Sequence, residues 1–100
     1  MIVTVFRSRL LPEAHDDYYP MAQRMSDLAR AMPGYISHKV FVADDGERVT
    51  IVEFESEEAQ RAWAHHPEHR AGQVKGRADF YSEYKLQVCE VKRTSRKDPR

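Results

Sequence analysis

The chain opens on a β-rich run, Ile2–Arg9, which predicts a first strand ended by Leu11 and Pro12. An apolar stripe of Tyr18, Ala22, Met25, Ala29 and Met32, with Leu28 beside it, then follows the spacing of one helix face. Pro20 is tolerated in a first helical turn and not in an interior, so the predicted N-cap is Asp17 and the predicted helix is Tyr18–Met32. Pro33-Gly34 stops it. Two β-runs, Tyr35–Ala43 and Arg48–Glu55, flank Asp44-Asp45-Gly46-Glu47, where Asp-Gly signals a hairpin. Ser56 followed by Glu57 and Glu58 marks a second helix start, a capping hydroxyl with acids at the positive end of the dipole. This helix carries Trp63 and ends near His66, because Pro67 opens a new turn. Pro67–Asp79 is weakly helical, loosened by Gly72 and Gly76, and Phe80–Val91 is the last strand.

The predicted order is β-α-β-β-α-β, a ferredoxin-like α+β plan with a four-stranded antiparallel sheet. Helices on one face should leave the other face polar, yet the strands are apolar on both sides. Val49 and Ile51 oppose Val52 and Phe54, and Ile2 and Phe6 oppose Val3 and Val5. In the last strand Phe80, Tyr84, Leu86 and Val88 oppose Tyr81, Cys89 and Val91, which sets Tyr81 and Tyr84 on opposite faces. A bare apolar sheet exceeds what soluble monomers expose, so a homodimer packed sheet to sheet is expected.

Composition changes this picture little. The 100 residues are 41% hydrophobic and 32% charged, with a formal net charge of zero, which argues against a dedicated nucleic-acid binder. Lys92–Arg100 holds five Lys/Arg against Asp98, so residues 1–92 are expected to form the domain and 93–100 a basic, flexible tail. Cys89 is the one cysteine, which excludes an intrachain disulfide, and its place in a strand predicts a small core residue. No leader-like segment precedes Ile2 and no apolar run approaches spanning length, so a cytoplasmic protein with no membrane partner is expected.

Candidate chemistry is densest between Trp63 and Tyr81. His65, His66 and His69 suggest a metal reading, but Pro67 interrupts the helix between them and no second ligand cluster is evident, so no metal is expected. Trp63 is read either as a core anchor or as the wall of a ligand cavity. His69, Gln73 and Arg77 follow one another at four-residue spacing, so a continuous helix points them the same way, as a solvated face or as a base beside a cation. Glu53, His38 and Glu83 are polar residues inside β-runs, either edge-exposed or buried with shifted pKa values.

The chain resembles the antibiotic-biosynthesis-monooxygenase-like family of dimeric α+β barrels. The resemblance is carried by Ala29-Arg30-Ala31-Met32-Pro33-Gly34-Tyr35, Asp45-Gly46-Glu47-Arg48, Glu53-Phe54-Glu55-Ser56-Glu57-Glu58-Ala59, Trp63, His66-Pro67-Glu68-His69, Gly76-Arg77 and Phe80-Tyr81. It implies a ferredoxin-like protomer, a barrel formed by two sheets, and a pocket between sheet and helices. Relatives include cofactor-independent oxygenases of anthrones and quinols and haem-degrading oxygenases. The haem-degrading and anthrone-oxidising types use an asparagine near a helix tryptophan, and this sequence contains no asparagine. Haem degraders also place a histidine about three turns after the tryptophan, where Gln73 stands here, so only Trp63 carries over.

The expected function is therefore a cofactor-independent monooxygenase acting on a small aromatic or polyketide-like molecule. His69 or His66 is the expected base, Arg77 the anion partner, and Trp63, Phe80 and Tyr81 the walls. A non-catalytic small-ligand-binding or stress-response dimer is the alternative.

Overall fold

Four strands and three helices follow the predicted order in the computed structural model, which describes residues 1–99. The strands are β1 (Ile2–Leu10), β2 (Tyr35–Val42), β3 (Arg48–Phe54) and β4 (Tyr81–Glu90). They form one open antiparallel sheet in the order β2-β3-β1-β4, which is the ferredoxin-like arrangement. The helices are α1 (His15–Arg30), α2 (Glu57–Ala64) and α3 (Pro67–Lys75). Among the described residues no helix is long and apolar enough to cross a membrane. Residues 91–99 lie outside regular secondary structure, and Arg100, the last residue of the expected tail, lies outside the described residues.

Each predicted punctuation mark is used, with one correction. Ser56 Oγ accepts a hydrogen bond from the Ala59 N–H at 3.1 Å and so caps α2. Gly46 sits at φ +89° in the hairpin, where the Asp45 carboxylate accepts from the Glu47 N–H. Asp17, however, is not an N-cap. A 3-10 turn over Pro12–Ala14 runs directly into α1, which has no side-chain cap, and Asp17 lies inside its first turn. Pro20 thus sits in the second turn, on the exposed side of the helix, where its missing N–H leaves the Asp16 carbonyl to water.

Gly34 ends the α1–β2 connection at φ +82°, and a Cβ there would lie 2.5 Å from Ala59 Cβ. Strain and clash therefore act together. Gly34→Ala is expected to cost roughly 2 kcal/mol or more of stability, read as a lowered urea midpoint at unchanged slope. A midpoint equal to wild type would mean that α2 yields freely at this contact.

Two buried clusters join the helices to the sheet. Ile2, Ala29, Phe54 and Trp63 form one, with Met25, Leu28, Met32, Tyr35, Val52 and Ala59 packed against it. Ala14, Tyr18 and Phe80 form the other, with Leu10, Leu11, Met21, Ala22 and Tyr81 around them. The α1 stripe read from the sequence supplies both clusters.

The sheet faces depart from expectation in two ways. The helices do not reach across their own side: on β4, Tyr84, Leu86 and Val88 share a face with Ile2, Thr4 and Phe6 yet remain 45%, 47% and 50% exposed. On the other side lie Val3, Val5, Val49 and Ile51, with Phe41 and Cys89 exposed beside them. Cys89 is thus not a core residue. It belongs to an edge strand, on the face that no helix covers. Ion pairs from Arg7 to Glu47 and from Arg9 to Asp45 and Glu83, each 2.8 Å, rim this face at one end.

Candidate functional site

Ser56 starts α2 so that its apolar side faces the sheet, which buries Trp63 against Ile2, Ala29 and Phe54 at 7% exposure. The chain then breaks at His66, whose Nδ1 accepts from the Glu68 N–H at 3.2 Å and caps α3. Pro67 takes the first position of α3, where no N–H is needed. This short elbow folds α3 back, and His69 comes to rest on Trp63. Their rings are stacked, with centroids 4.0 Å apart and planes 10° apart, while the His66 ring is tilted at 5.8 Å.

The His69 ring is oriented by a hydrogen bond of 2.9 Å between its Nδ1 and the Trp63 carbonyl. A carbonyl only accepts, so Nδ1 carries the proton and the neutral ring keeps its lone pair on Nε2. Burial lowers the His69 pKa below the ordinary histidine value, assisted by the nearby His66 and partly opposed by the carbonyl bond. Around neutral pH this residue is a fixed imidazole with a basic Nε2.

The other candidates stand apart from this pair. α3 ends at Lys75, and a π-helical turn over Gly76–Phe80 follows, so Arg77 is not carried on the helical run that holds His69. Its guanidinium lies over the Tyr84 ring at 5.6 Å. Phe80 is in the turn rather than in β4 and is buried edge-to-face against Tyr18 at 5.9 Å. Tyr81 lies on Gly76, where a Cβ would meet its ring at 2.6 Å. A β-bulge where Arg9 and Leu10 pair with Glu83 and Tyr81 skips Ser82 and brings Tyr81 onto the same face as Tyr84. Both rings then pack on Phe6, at 5.4 and 6.0 Å, which corrects the expectation of opposite faces. Burial, reinforced by Tyr18, pushes the Tyr81 phenol well above its ordinary value.

The polar residues of the β-runs have partners. Glu53 accepts from Ser37 Oγ, Glu83 pairs with Arg9, and His38 Nδ1 bonds the Tyr35 hydroxyl at 2.6 Å, with its pKa lowered by burial and then by Arg30. Among the described residues no three of His, Cys, Asp and Glu converge as a metal site.

Sequence reasoning missed Arg48. Its guanidinium lies over the rings of Tyr18 and Tyr19, at 5.2 and 5.6 Å, and its Nε is buried without a hydrogen-bond partner. The available signal was strand parity, which puts a charge on the face that Val52 and Phe54 give to the core.

With this geometry in view, residues 1–75 match the family described as antibiotic biosynthesis monooxygenase. The chain belongs to that family. Arg77, Phe80 and Tyr81 lie beyond the matched residues. YqjZ of Bacillus subtilis (strain 168), itself an uncharacterised protein, is 34% identical over 89 residues, covering 89% of this chain and 78% of its own. Among solved structures, Rv0793 from Mycobacterium tuberculosis superposes with a TM-score of 0.83 at 17% identity, covering 95% of this chain and 98% of that one. SnoaB from Streptomyces nogalater, a cofactor-independent oxygenase, gives 0.78 at 17% identity, covering 93% and 94%. These superpositions establish the shared fold.

Proposed function

We propose that the chain is a cofactor-independent monooxygenase acting on a small aromatic or polyketide-like molecule, as a cytoplasmic homodimer joined through the helix-free sheet face. The observation that carries the reading is the stacked pair of Trp63 and His69, with Nδ1 held by a carbonyl and burial favouring the neutral base. Membership of a monooxygenase family supports the reaction class.

In this reading His69 Nε2 takes a proton from an acidified CH2 of the substrate, with His66 as the second candidate base. The carbanion adds O2 and is protonated to a hydroperoxide. Loss of the second C–H proton breaks the O–O bond, giving a ketone and water. One O2 is consumed per ketone, and the substrate itself supplies the electrons. Arg77, which has no carboxylate partner among the described residues, is the proposed anion partner, and Trp63, Phe80 and Tyr81 are the proposed walls.

The placement of Arg77 off the helix that carries His69, with its guanidinium over Tyr84, favours a second reading, a dimer that binds such ligands without turning them over. An oxygen electrode separates the two. Anthrone added to the purified protein should consume one O2 per anthraquinone formed, with no Soret or flavin band in the protein spectrum. Saturable quenching of Trp63 fluorescence without oxygen uptake across a panel of anthrones and quinols would establish the binding reading instead.

A further inference from the structure

All four strands and α1 contribute to a concavity whose lining includes neither Trp63 nor His69. It has a volume of about 440 Å³ and is lined by Arg9, Leu10, His15, Tyr19, Val42, Asp45, Gly46, Arg48 and Ser82. That volume lies within the ~300–1,000 Å³ typical of small-molecule sites. Its walls divide by chemistry. Leu10, Val42 and the Tyr19 ring are apolar, and the rim is ionic.

The charges on the rim are not equivalent. Arg9 is fully engaged: Nε on Glu83 at 2.8 Å, one terminal nitrogen on the Asp45 carbonyl at 3.0 Å, the other on the Asp45 carboxylate at 2.8 Å. Asp45, the acid in the cleft, is thereby neutralised, and Ser82 donates to the Arg9 carbonyl at 3.3 Å. Arg48 has no carboxylate partner among the described residues. Its guanidinium lies over two tyrosine rings, and its buried Nε lacks an acceptor. A planar guanidinium fixed in this way presents its donors in the fork that matches a carboxylate.

We propose that this cleft, between the first turns of α1 and the β2–β3 hairpin, is a second ligand site for a small aromatic carboxylate, bound through Arg48 with its ring against Tyr19 and Val42. The cleft's lining includes none of the residues proposed above for the reaction, although Arg48 rests on Tyr18, which packs against Phe80 and Tyr81.

The probe is 2-naphthoate, with 2-naphthamide as its neutral counterpart, titrated into the dimer and followed by amide NMR. Saturable shifts are expected at Tyr19, Val42, Gly46 and Ser82, with the Trp63 indole N–H unmoved. The amide should bind roughly tenfold more weakly or worse, and Arg48→Gln should lose a similar factor. Should Arg48→Gln fail to fold, the acid-against-amide comparison on wild type decides. Equal affinity for acid and amide overturns the proposal, as do shifts centred on Trp63, displacement by equimolar inorganic phosphate, and absence of saturation below ~10 mM.

Discussion

Ile51→Glu is expected to turn the proposed dimer into a folded monomer. Ile51 lies between Val5 of β1 and Lys39 of β2 on the side of the sheet that no helix covers. In the proposed symmetric dimer the new carboxylate would be buried twice, at several kcal/mol for each unpaired charge, so dissociation should strengthen by roughly 100-fold or more. Lys39, directly across, can partly compensate a glutamate. Ile51→Lys, which sets two like charges side by side, should therefore be the harsher change. Val52→Glu points the other way, into the cluster of Ile2, Ala29, Phe54 and Trp63, and should lower the stability of the protomer itself by several kcal/mol. Sedimentation velocity over a concentration series separates loss of assembly from loss of fold. Wild type sedimenting as a monomer at micromolar concentration would sink the proposed interface.

His69→Ala should slow turnover by roughly 10²–10⁴-fold while leaving the dimer intact. The pH profile carries more information than the rate. Because burial lowers the His69 pKa, activity should rise with pH through a value below the ordinary ~6.5 and stay level above it. The same shift affects stability, since the fold prefers the neutral ring. That contribution is complete above the unfolded value near 6.5 and is lost as pH falls through the lower folded value. An acid limb unchanged in His69→Ala would assign it to another group. A His66→Ala, His69→Ala double variant of undiminished activity would remove histidine from the mechanism and direct attention to Glu53, His38 or Glu83.

Local signals in the sequence were reliable wherever the chemistry was local. The Asp45-Gly46 turn, the Pro33-Gly34 stop and the Ser56 cap each act within four residues, and they order the elements correctly. Pro20 misplaced the start of α1 because its rule concerns cost, and packing of Tyr18 and Ala14 in the second cluster offsets that cost. The stacking of His69 on Trp63 depended on the angle of the elbow at His66, which no spacing encodes. Arg48 went unread because its partners Tyr18 and Tyr19 lie about thirty residues earlier on another element. Simple alternation sets the two tyrosines of β4 on opposite faces, because a bulge at Ser82 leaves no mark in an alternating pattern.

The π-helical turn has a consequence for how the protein tolerates change. The Tyr81 N–H reaches back five residues to the Gly76 carbonyl, so this turn holds one residue more than an α-turn. Deleting a single residue from it would restore α spacing and swing everything after the deletion by ~100° relative to α3. Arg77, Phe80 and the start of β4 would leave their present neighbours together, while the strand ladder with β1 would resist the rotation. Length is therefore constrained between Lys75 and Tyr81 more tightly than side-chain identity. Variants of this chain that gain or lose a residue there should be rarer than variants substituted at Ala78 or Asp79, both of which are exposed.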